Sequence, residues 1–80
     1  MATTILRLPT VMALTGLSRS TIYLRISEGS FPKPVSLGAR AVGWPEYEIA
    51  ALNAARVAGK TNTEIRALVA DLEADRAAAA

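Results

Sequence analysis

Eighty residues, 51% of them hydrophobic, and a net charge of +2 make one small domain with too little material for a second core. The chain has no Cys and no His, which excludes a disulfide framework, thiolate and imidazole metal sites, and the usual acid–base group near neutral pH. Its apolar runs fall far short of the roughly 20 residues that span a bilayer, and Met1-Ala-Thr-Thr4 lacks the charged and apolar regions of a signal peptide, so a cytoplasmic protein is expected.

Ile5-Leu-Arg-Leu8 alternates weakly and fits either a short strand or a lead-in that packs on the core. A first helix is predicted from Pro9, which suits an opening helical position, to Thr15, with Val11 and Leu14 on its inner face. Gly16 supplies a tight turn. Ser18 then has the chemistry of an N-cap, since its hydroxyl can accept a bond from an orphaned backbone N–H. Leu17 before the cap and Ile22 after it form a hydrophobic staple, and Gly29 suits the stop of a second helix over 18–28. Two short helices joined by a short turn containing Gly make the helix-turn-helix pattern.

With Ile22 and Ile26 turned inward, steps of 100° send Ser20, Leu24 and Ser27 outward, flanked by Arg19 and Tyr23. A slim helix of this kind fits a major groove, where Arg bonds guanine or phosphate and hydroxyls bond either. The competing reading is an ordinary amphipathic helix with a polar solvent face. The following stretch favours DNA. Phe31-Pro-Lys-Pro34 breaks the helix, sending Phe31 to the core and leaving Lys33 solvated. Val35-Ser-Leu37 and Ala41-Val-Gly-Trp44 flank Gly38-Ala-Arg40 as a small hairpin, which must lean on the helices through Val35, Leu37, Val42 and Trp44. A hairpin directly after a recognition-like helix is a wing, and Arg40 at its tip can reach a phosphate or a minor groove. Residues 1–44 carry a net +4 and residues 45–80 a net −2, so the cations gather in the same half as this pattern.

Pro45 suits the first position of a third helix that fades near Val57–Gly59, with Ile49 and Leu52 inward and Glu46 and Glu48 favouring its positive end. These two carboxylates have no supporting base, metal ligand or phosphate loop, so no catalytic residue, metal site or cofactor is expected. Thr61 and Glu64 have capping-box spacing, with Asn62 as the alternative cap. A fourth helix follows, with Ile65, Leu68, Val69 and Leu72 as an apolar stripe. That stripe closes the chain's own core or pairs with another copy; because the winged core already has apolar partners, self-association is the expectation. Ala77–Ala80 reads as a frayed end.

The runs Ile5-Leu-Arg-Leu-Pro9, Thr15-Gly-Leu-Ser-Arg-Ser-Thr-Ile-Tyr23, Gly29-Ser-Phe-Pro-Lys-Pro-Val35, Leu37-Gly38 and Val42-Gly-Trp44 resemble the AlpA family of phage- and island-encoded DNA-binding regulators. The resemblance covers roughly residues 5 to 55. It implies a MerR-like winged helix-turn-helix and transcriptional control of genes on mobile elements, often of an integrase. Related small proteins act as excisionases that bend attachment-site DNA. The same resemblance places Ser18, Arg19, Ser20 and Tyr23 on the family's recognition helix and Arg40 in its wing. Leu24 stands where members often carry a basic residue, and it can contact a thymine methyl.

The expected protein is therefore mainly α with a small β-hairpin: a winged helix-turn-helix over 1–58 and an extra amphipathic helix over 61–78. Its expected partner is double-stranded DNA in the nucleoid, contacted by Ser18, Arg19, Ser20, Tyr23, Leu24, Ser27, Lys33 and Arg40. It is expected to act as a homo-oligomer, either a dimer or a head-to-tail array on DNA, with no small-molecule substrate and no membrane. Promoter regulation and excision need the same module. A protein-interaction module built on the fourth helix is the alternative from a different class.

Overall fold

Ile22 is fully buried, and the core closes around it with Val11, Phe31, Trp44, Ile49 and Ile65. The computed structural model describes residues 3–79. In chain order these form β1 (Ile5–Leu6), α1 (Leu8–Thr15), α2 (Arg19–Ser27), β2 (Val35–Ser36), β3 (Val42–Pro45), α3 (Glu46–Val57) and α4 (Asn62–Ala79). Met1, Ala2 and Ala80 lie outside the described residues, and with them the start of the Met1–Thr4 stretch and the end of the alanine run expected to fray.

Helix α1 opens one residue before Pro9, which sits in its first turn. Leu14, expected on the inner face, is 52% exposed. The inner stripe is instead Leu8, Val11, Met12 and half-buried Thr15, whose hydroxyl donates to the Val11 carbonyl at 2.7 Å. A step of three from Val11 carries Leu14 off that stripe, while the step of four keeps Thr15 on it. Gly16 ends the helix at φ 72°, a left-handed conformation that costs a residue with a Cβ roughly 1–2 kcal/mol.

Ile5–Leu6 is a strand. It pairs antiparallel with one edge of β3, Leu6 opposite Trp44, and β2 pairs antiparallel with the other edge, Val35 opposite Gly43. The hairpin is therefore the outer part of a three-stranded sheet with β3 at its centre. Trp44 is wholly buried, edge-on to Phe31 at 6.1 Å between ring centroids, and its indole N–H donates to the Pro32 carbonyl at 2.8 Å. That bond removes the cost of burying the indole nitrogen. Val35 and Val42 are half-buried, but Leu37, expected to press on the helices, lies past the last paired residue of β2 and stays exposed.

Pro45 ends β3 with an extended ψ of 135° and precedes α3 as its N-cap, rather than being its first helical residue. Glu46 is exposed, but Glu48, expected beside it as a solvated complement to the helix dipole, is fully buried. Arg76 of α4 binds it bidentately, Nε to Oε2 at 2.8 Å and Nη2 to Oε1 at 2.7 Å. Paired donors of this kind compensate the desolvated carboxylate, and they hold the Arg76 pKa above the ordinary arginine value.

Helix α4 begins with the expected reciprocal capping box: Thr61 N–H donates to Glu64 Oε1 at 3.0 Å and Glu64 N–H to Thr61 Oγ1 at 3.2 Å. The Thr61 N–H, then its hydroxyl, holds Glu64 below the usual carboxylate range. Ile65, Val69 and Leu72 are buried, and Leu68 packs against the same cluster. The four side chains expected to mediate self-association, Ile65, Leu68, Val69 and Leu72, are turned toward the chain's own core, with Leu68 only half-buried. The stripe packs along α3 and adds Ile65 and Val69 to the core cluster. Segments 1–58 and 61–78 share one core.

Candidate nucleic-acid interface

Helix α2 is positioned by its two ends and one buried face. Ser18 caps it with φ −76° and ψ 162°, its hydroxyl accepting the Thr21 N–H at 3.3 Å and donating to Thr21 Oγ1 at 2.9 Å. Ser20 Oγ lies 3.3 Å from Ser18 Oγ. Ser18 is thus committed to holding the helix start, and its hydroxyl has no proton left to donate outward. At the other end the Ser30 N–H closes on the Arg25 carbonyl at 2.9 Å, next to Gly29 at φ 80°. Ile22 and the packed Ile26 fix the rotation of the helix.

That rotation leaves Ser20, Tyr23, Leu24 and Ser27 exposed, Leu24 at 57%. The Arg19 guanidinium lies 5.9 Å from the centre of the Tyr23 ring, one turn along the same helix. Such cation–π contact at an exposed site contributes about 0.5–1 kcal/mol and restricts the swing of a long side chain. The Ser27 hydroxyl donates to the Leu24 carbonyl at 2.6 Å and keeps only its lone pairs for a ligand. Residues Arg19–Ser27 contain no carboxylate. Among the described residues the ion pairs are Lys60–Glu64 and Arg76–Glu48, so Arg19, Arg25, Lys33 and Arg40 keep their charge uncompensated by an ion-pair partner.

Lys33 and Ser27 meet at a cleft of about 430 Å³ between the end of α2 and α4. Arg40 stands apart, exposed in the turn between β2 and β3, which the Leu37 N–H closes by donating to the Ala41 carbonyl at 2.8 Å. The structure therefore groups Arg19 with Tyr23 and Ser27 with Lys33, and carries Arg40 on a separate projection. Three further arginines join this side without having been singled out by the sequence. Arg66 of α4 lines the cleft. Arg56 at the end of α3 has a buried Nε without a hydrogen-bond partner, and its pKa is lowered first by burial and then by the charge of Arg25. Arg25 lies on α2 itself, but nothing local in the sequence brings Arg56 or Arg66 to it. Among the described residues, no helix is long and apolar enough to cross a membrane.

Residues 4–56 match the sequence profile of the family described as "Prophage CP4-57 regulatory protein (AlpA)". The uncharacterized protein ORF88 of Enterobacteria phage P4 is 54% identical over 55 residues, covering 69% of this chain and 62% of that protein. The DNA-binding transcriptional activator AlpA of Escherichia coli K12 is 44% identical over 54 residues, 60% of this chain and 77% of that protein. The chain thus spans less than two thirds of the phage P4 relative. No solved structure gives a significant match. The matched stretch takes in the sheet, α1, α2 and nearly all of α3, and leaves α4 outside. With a profile match over more than half its length, the chain belongs to the AlpA family.

Proposed function

We propose that the protein is a transcriptional regulator of a phage or integrated element, binding duplex DNA as a winged helix-turn-helix. In this reading α2 is the recognition helix and the β2–β3 hairpin the wing. The observation that carries it is the exposed, carboxylate-free face of α2, on which Arg19 is already held over Tyr23. A pre-organised guanidinium forms a bidentate contact to guanine or phosphate with less loss of side-chain freedom. Ser20 and Ser27 supply hydroxyl contacts, Leu24 an apolar contact for a thymine methyl, and Lys33 and Arg40 contacts to phosphate. Ser18 acts through the orientation of the helix. Membership of the AlpA family and the printed function of the E. coli relative support the same reading.

The test is titration of a labelled fragment from beside the protein's own gene, at several salt concentrations. Affinity is expected to fall steeply with salt, and Arg19→Ala to weaken binding by about 1–3 kcal/mol. Unchanged binding at matched salt removes Arg19 from the interface. Failure to bind this fragment and bulk duplex at low salt overturns the proposal.

A further inference from the structure

The link between α2 and β2 carries main-chain groups that no helix or strand satisfies, and such groups need partners. Helix α4 reaches both ends of it. Arg66 Nε donates at 3.3 Å to the carbonyl of Glu28, the C-terminal cap of α2. Glu73 Oε2 accepts the Lys33 N–H at 2.8 Å, and Arg76 Nη2 donates to the Lys33 carbonyl at 2.7 Å. Arg76 is itself fixed by its two bonds to buried Glu48. Positions 66, 73 and 76 follow helical spacing along one side of α4, beside the stripe of Ile65, Val69 and Leu72 that anchors it in the core.

We infer that α4 is a strap that fixes the hairpin's position relative to α2, which makes Arg66, Glu73 and Arg76 positioning residues for DNA binding. The inference rests on the proposed function for what α2 and the hairpin contact, and on these bonds for how they are held. Over one helical turn a duplex is stiff. Two elements that grip it together must keep a set separation, and slack between them is ordered at the expense of affinity. All three bonds grip main-chain atoms, so the strap works whatever side chains the link carries. It lies outside the stretch matched to the family.

The chain has no cysteine, so spin labels at Ser20→Cys and Ala39→Cys alone report the separation between α2 and the hairpin turn. Combining Arg66→Ala with Glu73→Ala removes two of the three ties and leaves the buried stripe and the Glu48–Arg76 pair intact. This double variant is expected to melt cooperatively and to broaden the inter-label distance distribution of DNA-free protein. Glu73→Gln, which keeps a carbonyl acceptor for the Lys33 N–H, is expected to retain the narrow one. On DNA, the unlabelled double variant is expected to lose about tenfold in affinity in an otherwise parental chain, and much less once Arg40→Ala has already weakened the hairpin contact. A distribution as narrow as the parent's overturns the strap. An equal loss with and without Arg40→Ala overturns its role in positioning the hairpin on DNA. A parent that ignores duplex DNA while the double variant still broadens overturns the proposed function and supports the strap.

Discussion

A Cβ on Gly43 would lie 2.6 Å from Ile5 Cγ2 and 2.8 Å from the Leu6 carbonyl oxygen. The first contact can relieve itself by a side-chain shift, but the second is backbone of the paired strand and cannot without moving β1. Gly43→Ala is therefore expected to destabilise the fold by about 1–3 kcal/mol, seen as a lower denaturant midpoint with an unchanged slope. A midpoint equal to the parent's would mean that β1 gives way freely and does not contribute to the sheet. The sequence reads Gly43 only as one member of an apolar run, because the need for glycine arises from a strand nearly forty residues upstream. Glu48 is the same kind of case. Local chemistry assigns it to a helix start, whereas its burial depends on Arg76, 28 positions away. The Ser18 cap and the Thr61–Glu64 box are legible, since each closes within one turn of helix.

At the level of elements, the period of α4 is plain in the sequence, but the identity of the surface it covers is not. An apolar stripe records only that something lies on it. Here that is the chain's own α3 side, and the consequence is measurable. Ile65, Val69 and Leu72 are buried side chains, each contributing about 1.5–3 kcal/mol. Their sum approaches the whole stability of a small domain, about 5–15 kcal/mol. Removing α4 also takes Arg76 away from Glu48 and breaks their paired bonds. Truncation after Gly59 is therefore expected to abolish the cooperative melt and most of the far-ultraviolet helix signal. A truncated chain that melts within a few degrees of the parent would show that the remaining helices hold the core without α4. The hairpin shows the complementary limit: its two runs and turn are readable, but its third strand depends on whether a weakly alternating lead-in finds an open edge on β3.

As a whole molecule, the protein measures 34 × 29 × 21 Å. Its longest dimension is close to one turn of B-DNA, about 34–36 Å. Under the proposed function, one copy would read at most about ten base pairs on one side, and a module of this size buries only about 600–1,000 Å² on DNA. On that proposal, specific binding against a genome of competing sites would call for several copies on a repeated sequence. Nuclease footprints of the proposed complex are expected to lengthen by about one helical turn for each added copy, with stepwise slower bands in a gel. Direct repeats would indicate head-to-tail placement, and inverted repeats a two-fold pair. Because each copy brings its own Arg19, Lys33 and Arg40, the salt dependence should steepen with each step rather than stay constant. Protection that saturates at a single turn, with undiminished preference for the fragment over bulk duplex, would instead mean that one copy supplies all the specificity.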